Sequence, residues 1–284
     1  MTPPTSTQQR APRPGPAGNT APLPTPRPHL GHAVASEWTK MVSVRSTMWT
    51  LGSLVVTVVG VGLAFVSQTS DENYKNMPYI APALFGLLVG QLSVIVLGVL
   101  TITSEYGTGL ARTTFAAAPD RHRVLTAKYL VFSAVAFVIL AGSIFLVGIT
   151  TAMVHGGPAS GPHDNASAWL SGLLVSLYVT LLGVLSLAVG TLVRHSAGAI
   201  AVMIGVVTLP PVIGGMLSIW SASAGLGRLV LDYNALVAMM QLFGMPDGAN
   251  GTDLPSKVLQ LALLVLVTGA TVSASYLAVR RRDV

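Results

Sequence analysis

The chain has 284 residues, of which 51% are hydrophobic and 9% charged, no cysteine, and a formal net charge of +6. So little charge, against roughly one quarter in soluble domains, places it among membrane proteins. The lack of cysteine excludes disulfides, thiolate catalysis and Cys-based zinc sites.

Residues 1–28 form a Pro-rich polar arm containing Pro-Arg-Pro and Leu-Pro-Thr-Pro-Arg-Pro. Such a segment is expected to be disordered or partly polyproline II, a flexible tail being preferred to a ligand for a Pro-recognising domain. Nothing before Gly31 has the apolar core of a cleavable signal peptide, so the first span is expected to act as its own insertion signal. The division is a cytoplasmic arm over 1–30 and a transmembrane domain over 31–284. Residues 32–47 read as an interfacial helix. Val34, Trp38, Met41 and Val42 recur at helical spacing, with Lys40 and Arg45 available to headgroups. The alternative is a frayed start of the first span.

A bilayer span needs about 20 apolar residues, and six stretches qualify: 48–66, 80–102, 129–154, 169–193, 197–219 and 258–279. In the second, Gly86-x-x-x-Gly90 lets another helix approach closely, with packing inside the bundle preferred to a dimer seam. Gly183, Ser186 and Gly190 make a similar stripe in the fourth. The 66–79 and 154–169 connections read as external loops, and Arg194-His195-Ser196 as a tight inner turn. Pro210-Pro211 interrupts the fifth stretch, so that helix is expected to cross with a kink or the chain to re-enter. Residues 227–243 are apolar but carry Arg228, Asp232, Asn234 and Gln241, and read as one external or half-inserted helix.

Thirteen of the sixteen Lys and Arg residues fall on the odd-numbered side of the spans. The positive-inside rule then puts both termini in the cytoplasm, as in a multi-pass protein of the cell membrane. The bases are divided among membrane edges and the arm, which argues against a nucleic-acid face. Ionisable residues are nearly absent from the apolar stretches, so energy is expected to come from outside the bilayer. No G-x-x-x-x-G-K-[ST], H-E-x-x-H or G-x-S-x-G occurs, and the histidines form no ligand constellation. No catalytic, cofactor-binding or metal-ligating residue is expected, and the chain is not expected to be an enzyme by itself.

The most patterned segment is the polar island Ser104-Glu105-Tyr106-Gly107-Thr108-Gly109-Leu110-Ala111-Arg112, continuing to Pro119. Thr108 can cap a short helix that Pro119 stops, and Glu105 sits where the positive end of its dipole favours an anion. Asp120 can cap the next helix, whose first turns carry Arg121, His122, Arg123 and Lys128. Glu105 is expected outside the apolar core, and Arg112 toward headgroups or a docking partner.

Through Glu105, Gly107-Thr108, Leu110 and Pro119, the chain resembles the membrane subunits of ABC transporters of the ABC-2 export type. Its entry segment, Ser36-Glu37-Trp38-Thr39-Lys40 through Arg45-Ser46-Thr47-Met48-Trp49-Thr50-Leu51, is similar to actinobacterial members. The resemblance implies an all-α fold of six transmembrane helices, with an interfacial helix before the first and a coupling helix between the second and third. It also implies that Glu105, Gly107, Thr108, Leu110, Arg112 and Pro119 couple to a cytoplasmic ATPase subunit, present in two copies. A second permease copy or paralogue and membrane lipids complete the implied partners. Pro210 and Pro211 are the candidate gating positions and Gly86 and Gly90 the packing positions. The alternative is a six-span scaffold, regulator or assembly factor with no ATPase partner.

Overall fold

The computed structural model describes residues 29–71, 77–107, 121–155, 166–244 and 256–281. The Pro-rich arm, the expected 108–119 helix and most of the 154–169 loop lie outside the described residues. Among the described residues there are nine helices and no strand: α1 Leu30–Ser43, α2 Arg45–Gln68, α3 Pro82–Gly107, α4 Arg121–His155, α5 Ala166–Val193, α6 Ser196–Ser218, α7 Ala224–Asp232, α8 Ala235–Leu242 and α9 Lys257–Arg281.

Six of these, α2 to α6 and α9, are long and apolar enough to cross a membrane. At 1.5 Å per residue, even the 23 residues of α6 reach about 35 Å, more than the roughly 30 Å hydrocarbon layer. All of them but α6 are longer than the apolar stretch that signals them, because polar residues at a membrane edge continue the helical hydrogen bonding while leaving the hydropathy window.

The centre is α3 against α2 and α5, and small residues make the contact. A Cβ on Gly86 would stand 2.5 Å from the carbonyl oxygen of Val58 and 2.6 Å from its Cα. A Cβ on Gly90 would meet Val58 Cγ2 at 2.8 Å. Both glycines therefore face α2 of the same chain. On its other side α3 meets α5, where a Cβ on Gly98 would collide with Ser186 Oγ and the Gly183 carbonyl. Phe132 of α4, fully buried, closes on Gly183. The most apolar windows of α3 and α5 are 61% and 72% buried inside the chain, against 17% for both α6 and α9. The peripheral α9 is tied at one end by hydroxyls: Tyr129 to Ser275 at 2.9 Å and Thr126 to Tyr276 at 2.7 Å.

The Pro210-Pro211 pair does not break α6: both lie inside the continuous helix, in keeping with the expected crossing rather than with re-entry. Proline forfeits one backbone donor per residue, and the helix extends far enough on either side to absorb two such losses. Residues 227–243 are not one helix. The chain stops at Tyr233 and restarts at α8, where Asn234 Oδ1 accepts from the Leu236 and Val237 amides at 2.9 and 3.0 Å. This N-cap satisfies two donors that a new helix leaves unpaired. The upstream piece, α7, folds back on α6 at a Gly214–Gly227 crossing, while α8 buries Met239 and Leu242 in the core.

Gly86→Ala is expected to lower bundle stability by about 1–3 kcal/mol, because backbone must move to admit the methyl. Gly60→Ala, which meets nothing within 4 Å, is expected to leave it unchanged. Thermal unfolding of the purified variants in one detergent checks the pair.

Candidate functional site

At one end of the bundle the N-terminus of α4, the C-terminus of α3 and the short helix α1 bring four charges together. Lys128 lies two turns into α4 and is 2% exposed. Its Nζ donates to Glu37 Oε2 at 2.6 Å, to Glu105 Oε1 at 2.9 Å and, at 3.4 Å, to the Thr101 carbonyl. Lys40 Nζ donates to Glu37 Oε1 at 2.8 Å and Glu105 Oε1 at 3.0 Å. The acids and bases alternate, each carboxylate shared by both ammoniums. This is the geometry in which buried charges can persist, since Coulomb attraction and charge-assisted hydrogen bonds offset the loss of water.

Local helix geometry sets the arrangement. Glu37 and Lys40 are three residues apart and share a face of α1. Met41, buried, extends that face onto the bundle. Glu105 occupies the last turn of α3, not the start of the following segment, and is 9% exposed. The expectation that it stands outside the apolar core is thereby corrected: the helix begun at Pro82 continues through Glu105 and turns its side chain inward. Glu105 and Lys128 lie just beyond the apolar stretches 80–102 and 129–154, on the polar extensions of two span-length helices.

The other sequence candidates are placed as follows. Gly107 ends α3 with open space about it, while Thr108, Leu110, Arg112 and Pro119 lie outside the described residues. Pro210 and Pro211 are half-buried in α6, on a different element from the charge network. Gly86 and Gly90 pack on α2 within the bundle. Glu37 and Lys128 were not singled out as site residues. A signal for them existed: a glutamate and a lysine near the same membrane edge as Lys40 and Glu105 are costly unless all four are paired.

A further charged contact lies next to Glu105 in sequence. Arg194, in the turn between α5 and α6 with φ 57°, places its guanidinium 5.2 Å from the Tyr106 ring centroid, within cation–π range. On the opposite side a cavity of about 340 Å³ opens between α1, α2, α3 and α4. Glu37, Lys128, Leu97 and Val131 are buried at its base; Lys40 and Thr47 are half-exposed and Ser46 exposed at its mouth.

Burial opposes the charge on Lys40, but hydrogen bonds and attraction from Glu37 and Glu105 outweigh it and raise its pKa above the ordinary lysine value. A raised pKa contributes stability that is fully present below the unfolded value, about 10.4, and is lost only as pH rises through the folded one. Lys40 therefore keeps its pairing throughout the neutral range. Neither a protein-family model nor a curated protein matches the chain.

Lys128→Met is expected to cost about 3–5 kcal/mol, because it leaves two carboxylates buried beside one ammonium. Lys40→Met leaves the same two carboxylates to one ammonium, but at a half-exposed position where water can replace the lost donor, and is expected to cost only about 1 kcal/mol. Denaturation of the two variants in the same detergent checks the ranking, and equal losses would contradict it.

Proposed function

We propose that the chain is the membrane-spanning permease subunit of an ATP-driven exporter of the ABC-2 type, multi-pass in the cell membrane with both termini in the cytoplasm. One observation carries this reading. The two stretches that resemble that family, Glu37–Lys40 and Glu105 onward, are 65 residues apart in sequence between Lys40 and Glu105 and meet in one ion-pair network. A segment leaving α3 at Gly107 starts two residues from that network. Force applied to residues 108–119 would reach α1 and α4 through Glu105 without crossing the apolar core.

The energy source is then a separate cytoplasmic ATPase, two copies of which serve a pair of permease subunits, and the substrate is amphipathic or hydrophobic. Binding of ATP would draw the ATPases together and bias the bundle between inward- and outward-facing states, each favoured by its own contacts. In this reading α1 lies along the cytoplasmic interface, where Trp38 and Trp49 are exposed to headgroups.

Orientation is tested first. The chain has no cysteine, so Gln68→Cys and Ser43→Cys each place a single thiol at an exposed end of the first span. In whole cells an impermeant thiol reagent is expected to label Cys at 68 and spare Cys at 43; the reverse pattern inverts the topology.

Coupling is tested with Glu105→Gln and Arg112→Glu in the complex with its ATPase. Glu105→Gln is expected to lower substrate-stimulated ATP hydrolysis, and Arg112→Glu the yield of co-purified ATPase. No co-purifying ATPase and no effect of either variant on transport would favour the scaffold reading.

A further inference from the structure

The donors and acceptors around the cavity do not balance. Glu37 uses both carboxylate oxygens on Lys40 and Lys128. Lys128 spends its three N–H bonds on Glu37, Glu105 and Thr101. Lys40 has three N–H donors, and two of them go to Glu37 and Glu105. Among the described residues the third meets no acceptor.

The hydroxyls divide in the same way. Thr50, Thr101 and Ser104 donate to carbonyls of their own helices. Ser46 and Thr47 lie in the first turn of α2 and donate to no acceptor among the described residues. Three unspent donors, one of them cationic, thus line the mouth of one cavity. Its inner wall is apolar, built from Leu97, Leu100 and Val131. The volume, about 340 Å³, falls in the lower part of the roughly 300–1,000 Å³ of small-molecule sites.

We propose that this cavity binds one membrane phospholipid, with its phosphate on Lys40, Ser46 and Thr47 and an acyl segment against Leu97, Leu100 and Val131. Phosphate supplies the acceptor oxygens that the donors lack, and ammonium–phosphate hydrogen bonds are the strong, charge-assisted kind. A lipid is the fitting source because the chain has six helices able to cross a membrane. Val44, which lines the cavity, and Met48 and Trp49, which follow Thr47 in sequence, are exposed, side chains suited to the same lipid layer. The site stands independently of the exporter reading.

The test uses the full chain, delipidated in detergent and reloaded with dioleoylphosphatidylglycerol or with dioleoylglycerol, which lacks the phosphate. Retained lipid is counted by native mass spectrometry. The protein is expected to keep one phosphatidylglycerol and no dioleoylglycerol. Thr47→Val, which loses a donor, and Leu100→Trp, which fills the wall, are each expected to weaken retention by roughly tenfold, with the melting temperature held.

Equal retention of dioleoylglycerol, or wild-type retention by both variants, overturns the proposal. Complete displacement of the lipid by millimolar inorganic phosphate overturns the acyl seat. Should Leu100→Trp fail to fold, Ser46→Ala combined with Thr47→Val, at exposed and half-exposed positions, carries the same test.

Discussion

Lys128 is the constraint on which the basic end of the molecule depends. A buried ammonium is tolerable only with acceptors on nearly every N–H, and its two carboxylates come from different elements, Glu37 on α1 and Glu105 on α3. Neither α1 nor the last turn of α3 can move away without stranding a charge in apolar surroundings. A well-packed apolar cluster could hold the three elements with similar strength. What the charges add is direction: hydrogen bonds of 2.6 to 3.0 Å fix the position of α1 more narrowly than methyl groups would. The cavity follows, because α1 held in that position leaves an open space beside α2 and α3.

Elsewhere the structure relies on close backbone approach. Between apolar helices in lipid the hydrophobic effect gives little attraction, so association depends on packing and on polar contacts. The glycines at 86 and 90 on one face of α3, and the Gly98–Gly183 contact on the other, seat the central three helices. α6, whose glycine crossing is with α7, and α9 lack such seats on the central helices and are buried to a quarter or less of the extent of α5. The closest backbone packing is therefore where α3 meets α2 and α5, and the charge network joins that centre to α1 and α4. In an exporter this partition would let a push at the end of α3 travel through the centre as a rigid-body shift, while the two peripheral spans adjust at low cost.

Hydropathy made the six long helices legible, since about 20 apolar residues in a row have few other uses. It could not show where Glu105 points. Seen along the chain, Glu105 opens a polar island; in space it closes a helix whose inward face ends in a carboxylate because Lys128 waits there. That partner is 23 residues away and on another helix, beyond any local pattern. The α7–α8 break had a local signal in Asn234, a good N-cap residue, but uniform apolarity on both sides concealed it. The proline pair left two readings open, a kinked crossing or a re-entrant chain, and α6 runs through it as one helix. Two lost donors weaken a helix, but in lipid a stop at mid-depth would expose many more backbone groups, so continuation is the cheaper outcome.

The four charges do not carry equal weight. Lys128 is committed, with every donor placed and its side chain buried at the base of the cavity. Lys40 is half-exposed and retains one N–H for something outside the network. If that donor takes up a lipid phosphate, the attraction of Glu37 and Glu105 for Lys40 is shared with the membrane, and the network becomes the place where lipid, α1 and the end of α3 meet. A change felt at residue 105 would then be felt at the lipid as well, and the converse holds by linkage: a ligand that binds one position of α1 more tightly stabilises that position by the difference in its affinities.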